Sequence, residues 1–414
     1  MRRSVILWAA WLACSQAAPA RADDVHGRLE LGDQFATEDA SSLSATLDEQ
    51  TRNDVLGDMR VTWEPRWGGW SFALHYEMTV DAGDTPALTA RRDALGIFPP
   101  SPPATWLNLT NTFIDDDNLT ATQRIDRLSI GYTGYNFVVR LGRQALTWGS
   151  GLVFHPMDLF DPFAPTAIDT EYKPGTDMAY AQWLFGDGSD LQFVAVPRAF
   201  ELNGAPTSNA SSFALHYHAA IAGLQTTWLA ARDHGDWVVG AGLNGPLGGA
   251  TWNIEAIPTF VHDGPTLTSG VANISDATTL FGRDATLFAE YYRNGFGLSD
   301  RHYALDNLPA PLIDRLLRGQ VFDTGRDYLA AGATLQWTPL LHIDPTLIAN
   351  LNDASLYGIV QATYSLRENL NLVAGVQLPI GPPRTEFGGI ALTGASPPFE
   401  EQPKIVYVQL RQYF

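Results

Sequence analysis

The sequence predicts an all-β chain that forms a transmembrane antiparallel β-barrel of about 16 strands, with 14 as the alternative count. Three observations carry this. Apolar and polar residues alternate with period two in one segment after another. Short turns rich in Gly, Asp and Asn alternate with long connections. No stretch beyond residue 22 approaches the ~18 apolar residues of a membrane helix, although 12 Trp, 14 Tyr and 20 Phe are present.

The clearest strand is 70–82. Trp70, Phe72, Leu74, Tyr76, Met78 and Val80 share one face, and Ser71, Ala73, His75, Glu77, Thr79 and Asp81 share the other. The preceding strand puts Val55, Met59, Val61 and Trp63 outward and Asp58, Arg60, Thr62 and Glu64 inward. The same pattern places strands at 25–35, 53–65, 70–82, 124–133, 135–148, 176–185, 190–198, 219–231, 237–244, 250–260, 281–294, 325–337, 345–351, 356–366, 370–380 and 404–414. An even count returns the chain to its starting side. With both ends periplasmic, the short turns 65–69, 133–134, 186–189, 233–236 and 367–369 fall on that side. The long connections 36–52, 83–123, 149–175, 199–218, 295–324 and 381–403 fall outside. This is the layout of outer-membrane barrels. One connection, 261–280, is long on the wrong side, and 345–351 is a weak strand.

The ends agree with export. Arg2 and Arg3 precede a short apolar run, and Ala20-Arg21-Ala22 has the small-x-small form of a cleavage site. The reading is therefore a signal peptide over 1–22, Sec-type export, and an outer-membrane β-barrel over 23–414. The single cysteine, Cys14, lies within that leader, so disulfides and thiolate metal sites are excluded from the mature chain. The net charge is -19, and removal of Arg2, Arg3 and Arg21 takes it to -22. Nucleic acid is an unsuitable partner for such a surface. No cofactor or metal is implied. Asp115-Asp116-Asp117-Asn118 lacks the distal Glu and Gly turn of a calcium loop. His216 and His218 after Ser211-Ser212 form no recognisable arrangement of nucleophile, base and orienting group, so no enzyme is predicted.

About 16 strands enclose a lumen wide enough for water. The inward alternation makes Arg60, His75, Glu77, Arg124, Arg127, Arg140, Arg143, Glu255 and Glu290 candidate pore-lining residues. Loop 149–175 carries Asp158, Asp161, Asp169 and Glu171 among prolines and phenylalanines. The last strand alternates Val406, Val408, Leu410 and Phe414.

This layout resembles the general porin family. There the third external loop folds into the channel and its acids face arginines on the wall. The resemblance implies the same for Asp158, Asp161, Asp169 and Glu171, opposite Arg60, Arg124, Arg127, Arg140 and Arg143, with charge setting the entry barrier. The terminal alternation with Leu410 and Phe414 resembles the signal read by the barrel-assembly machinery, with Gln412 departing from it. Residues 140–165, Asn350-Leu351-Asn352-Asp353-Ala354-Ser355 and Glu386-Phe387-Gly388 look similar to poorly characterised porin-like proteins. The expectation is a channel for passive or mildly selective diffusion of small polar solutes, with outer-membrane lipids and the assembly machinery as partners and a homotrimer by analogy. The alternatives are a barrel that exports or binds an anionic polysaccharide, and a structural or adhesin-like barrel acting through its external loops.

Overall fold

The computed structural model describes residues 25–96, 101, 105–201 and 204–414, so the predicted leader lies outside the described residues. Eighteen strands form the barrel: β1 Val25–Thr37, β2 Thr51–Trp63, β3 Trp70–Gly83, β4 Leu119–Thr133, β5 Phe137–Gln144, β6 Thr176–Leu184, β7 Asp190–Val196, β8 Ser212–Ile221, β9 Leu224–Asp233, β10 Asp236–Leu247, β11 Ala250–Phe260, β12 Thr266–Leu280, β13 Arg283–Arg293, β14 Asp327–Thr338, β15 Leu341–Asn350, β16 Leu356–Arg367, β17 Leu370–Ile380 and β18 Lys404–Tyr413. Each pairs antiparallel with its sequence neighbours, and β18 pairs with β1 to close the ring. Closure leaves no strand edge unpaired. At the seam, the Phe414 ring lies over Gly27, where even a Cβ atom would stand 2.2 Å from it.

The count of 18 corrects the expected 16 and identifies the two strands that alternation missed. The first is β8, most of which lies in the supposed connection 199–218, its last residues merged with β9 in the expected strand 219–231. Its outward face, Phe213, Leu215 and Tyr217, is regular, but Ala222-Gly223 is too tight a turn to break the pattern visibly. The second is β12, inside the supposed connection 261–280. Its outward residues include Thr268, Gly270, Ala272 and Asp276, while Val271 points inward and is buried. Small and polar residues outside, with a valine inside, erase the usual contrast.

These two strands also correct the sidedness. The turn at Asp233–Asp236 moves to the long-loop side, and the connection that seemed long on the short side becomes the brief link 261–265 on the other. The connections 64–69, 134–136, 185–189, 222–223, 248–249, 281–282, 339–340 and 368–369 share the short side. The long segments 38–50, 84–118, 145–175, 197–211, 294–326 and 381–403 share the opposite side.

Outward positions are apolar. Exposed Leu215, Val239, Ile254, Leu347, Val360 and Val408 face out at mid-height, and such a band suits hydrocarbon. Aromatics rim both ends. Trp63, Trp70, Trp183, Phe281 and Trp337 lie near the short turns, and Phe35, Phe213, Trp237, Phe260 and Tyr291 near the long loops. At the lower rim Trp70, Tyr132, Phe137 and Trp183 form a chain of ring contacts with centroids 5.0 to 6.3 Å apart.

The long loops are built structures. Helix α1, Thr85–Leu95, flanks β2 and β3. Helix α2, Ala310–Leu317, docks on the β9–β10 turn, where Arg315 donates to Asp233 at 3.1 Å and Asp236 at 2.6 Å. The two late motif segments meet. Glu386 accepts from the Asn350 amide at 2.7 Å and from the Thr324 N–H at 2.6 Å, while its own N–H donates to Asp353 at 2.7 Å. Tyr328 also donates to Glu386.

Candidate functional site

Segment 145–175 does not cap the barrel from outside; it enters it. Gly142 prepares the turn, because its φ of 115° is a left-handed value and a Cβ there would stand 2.1 Å from the Leu128 carbonyl oxygen. From there the chain runs down the inner wall in two apolar contacts. Trp148, Met157 and Phe160 pack against Met178, Val194, Val196, Leu229, Val238 and Ile257, the inward side chains of β6, β7, β9, β10 and β11. Val153 and Phe154 pack against Tyr292, Tyr328, Ile348 and Tyr357 on β13 to β16. The interior of this half of the barrel is therefore a hydrophobic core covered by the loop.

Two carboxylates on the wall hold the loop backbone. Glu255 accepts the Ser150 N–H at 2.5 Å. Glu290 accepts the N–H groups of Leu152, Val153 and Phe154 at 2.6, 3.0 and 2.8 Å. Buried backbone donors need such partners. Both residues face inward, where they anchor the loop.

The returning half of the loop reaches the other wall. Gln377 of β17 donates to the Thr166 carbonyl at 2.9 Å. Asp169 and Glu171 meet Arg28 of β1 at 2.7 and 3.0 Å. The Tyr172 ring lies against two guanidinium groups, Arg60 at 4.3 Å and Arg28 at 5.0 Å from its centroid. Burial pushes the Asp169 carboxyl up, but the Arg28 hydrogen bond and charge outweigh it and hold it below its ordinary range.

Behind this contact stands a charged wall on β1 to β4 and β18. Arg28 also touches Asp58 at 3.2 Å. Arg60 bridges Glu77 and Asp126, the latter at 3.0 Å, and Arg124 pairs with Glu77. Arg127 meets Asp126 at 2.6 Å and donates to the Lys173 carbonyl. Asp126 is the extra residue of a bulge in β4, between Arg127 opposite His75 and Ile125 opposite Tyr76. That bulge places acid and base side by side on the inner surface. Arg411 of β18 meets Glu30 at 2.8 Å.

Of the predicted site residues, Arg60, Glu77, Arg124 and Arg127 join this network. His75 contacts Glu64 at 2.8 Å, and Arg140 lies over Tyr180. Arg143 does not line the lumen. It shares the face of Leu141, which is 58% exposed on the outside, and it pairs with Asp177 at 2.9 Å beneath the segment around Leu107. Asp158 pairs at 2.5 Å with Lys173 of the same loop, and Asp161 accepts from Thr176, so neither meets a wall arginine in an ion pair. His216 faces inward and stacks on Trp148, with centroids 5.0 Å apart. Leu410 faces outward between Leu31 and Leu372. Arg28, Asp126, Tyr172 and Lys173 were not singled out from sequence. Only the Arg28-x-Glu30 alternation of the first strand signals one of them.

A closed antiparallel ring with an apolar, aromatic-rimmed exterior, and an interior that is part apolar core and part charged wall, defines a transmembrane β-barrel, since closure pairs each strand with a neighbour on both sides. No family model matches the chain, and no curated protein matches it. Among solved structures it is similar to a triple mutant of the Rhodopseudomonas blastica porin, at 9% identity over 94% of this chain and 99% of that one, with a TM-score of 0.42. A second mutant of the Rh. blastica porin is similar at 10% identity, with the same coverages and a TM-score of 0.43.

Proposed function

We propose that the protein is an outer-membrane channel of porin type, passing small polar solutes between the inward loop 145–175 and the charged wall of β1 to β4. The observation that carries this reading is the loop's span. One stretch is pinned to Glu255 and Glu290, while Asp169 and Glu171 reach Arg28 on the other side. Such a crossing narrows the lumen at a point where acids of the loop meet arginines of the wall, and fixed charges there set which solutes enter. Asp169, Glu171, Arg28 and Arg60 are the constriction residues in this reading, with Tyr172 as its steric element. Outer-membrane lipids surround the aromatic-rimmed band, and Sec-type export followed by the assembly machinery, acting on the strand ending at Leu410 and Phe414, delivers the barrel there. A homotrimer is the assembly proposed by analogy. The polysaccharide alternative asks for a track of free cations, and the wall arginines are instead matched by carboxylates.

The test is planar-bilayer recording of the purified barrel in a salt gradient. Wild type is expected to conduct, and the double variant D169N/E171Q to shift its reversal potential toward anion selectivity. No conductance in wild type, or an unchanged reversal potential in the variant, overturns the reading.

A further inference from the structure

The chain is strongly acidic, with 45 Asp and Glu against 26 Lys and Arg. Almost every arginine inside the barrel is accordingly neutralised. Arg28, Arg52, Arg60, Arg124, Arg127 and Arg411 each have a carboxylate within 4.0 Å. Among the described residues Arg140 is different. It points into the lumen from β5, its guanidinium lies 5.7 Å from the Tyr180 ring centroid, and no carboxylate is paired with it. Arg66, in the short turn before β3 and opposite inward-facing Ser71, has no carboxylate partner either.

These two cations share one space. A cavity of about 220 Å³ under the arginine wall is lined by Arg66, Arg140, Ser71, Ser129 and Gln144. A second, of about 530 Å³, continues from it toward the short turns and adds Tyr180 and Gln182. Glu64, the acid in the first lining, lies 2.8 Å from His75 and forms no ion pair with either guanidinium. The space is thus a vestibule at the short-turn mouth with two guanidinium groups held in no ion pair, the hydroxyls of Ser71, Ser129, Thr133 and Tyr180, and the amides of Gln144 and Gln182.

We infer that this vestibule is a docking site for a small hydroxylated carboxylate of the sugar-acid class. Guanidinium forks match the planar geometry of a carboxylate. Ser71 and Ser129 offer donors and acceptors for hydroxyl groups; Gln144 and Gln182, whose amide nitrogens already donate to backbone carbonyls and to Asp190, offer their amide oxygens as acceptors; and the Tyr180 ring offers a flat apolar face. In an acidic protein, two cations held in no ion pair form a site that a solute carboxylate completes. The inference goes beyond the channel reading and does not require conduction.

The experiment is isothermal titration calorimetry of the full-length folded barrel in detergent with glucuronate, glucose and inorganic phosphate. Wild type is expected to bind glucuronate saturably, with glucose at least tenfold weaker and phosphate weaker than glucuronate. R66Q/R140Q is expected to lose at least tenfold in affinity, while R283Q, on an exposed arginine at another short turn, keeps it. Heat-modifiable electrophoretic mobility verifies that each variant is folded. Equal binding by R66Q/R140Q, equal binding of glucose, or phosphate binding as tight as glucuronate overturns the assignment. Binding by a barrel that fails to conduct would reject the channel and leave this site standing; conduction without binding would do the reverse.

Discussion

The carboxylate of Glu290 accepts the backbone N–H of Phe154 at 2.8 Å across 136 residues of chain, and it takes the two preceding N–H groups as well. Glutamine keeps one carbonyl oxygen and turns an NH2 group toward the same donors. Hydrogen bonds to a charged acceptor contribute about 1.5–3 kcal/mol each. E290Q is therefore expected to lower stability by about 3 kcal/mol, and E255Q, which serves one N–H, by less. Denaturant midpoints of the folded barrels in detergent check the order. Equal effects would show that the three-donor arrangement carries no special weight.

Tyr172 fills the contact between loop and wall without an ion pair of its own. Its removal takes away two cation–π contacts, each worth about 0.5–2 kcal/mol, and a ring's volume from the narrowest stretch of the proposed channel. Y172A is expected to raise single-channel conductance while leaving the Arg28 ion pairs in place. Conductance equal to wild type would place the constriction elsewhere.

Alternation found the barrel because outward Trp70, Phe72 and Leu74 contrast sharply with inward His75 and Glu77. It lost β12 because Gly270 and Ala272 face out while Val271 faces in, so the signal that defines a strand was inverted. Loop 149–175 stood out through its prolines, phenylalanines and acids. Which acids reach the wall did not, because the Asp158–Lys173 pair depends on how the loop folds back on itself. Arg143 shows the limit from the other direction. Its parity with Leu141 places it outside, its charge argues for the inside, and the polar cover near Leu107 that settles the conflict comes from a distant segment.

Arg315 ties helix α2 to the β9–β10 turn through two buried aspartates. Removing one member of a buried ion network leaves the others unpaired, at a cost of about 3–5 kcal/mol. That cost is expected to fall on segment 294–326, because the strands below keep their ladders. R315A should lose hydrogen-exchange protection in 310–317 while β9 and β10 stay protected. Loss of protection in those strands too would mean that the helix supports the barrel wall itself.

Asp158 and Lys173 give the inward loop a pH dependence of definite sign. Burial pushes the Asp158 carboxyl up from 3.8 to about 6, against the downward pull of Lys173 beside it, while nearby Asp161 adds to the rise. A carboxyl whose folded pKa is raised binds a proton more readily in the folded chain than in the unfolded one. Between pH 3.8 and about 6 the folded state thus holds more protons, and stability falls as pH rises through that window. The loop is expected to be held most firmly on the acid side of it. D158N cannot titrate, so its denaturation midpoint should lose this slope and run flatter than wild type from pH 4 to pH 6. The readout is the difference between the two profiles, which cancels the titration of carboxylates they share. Parallel profiles would show that Asp158 is ionised throughout, with Lys173 dominating over burial.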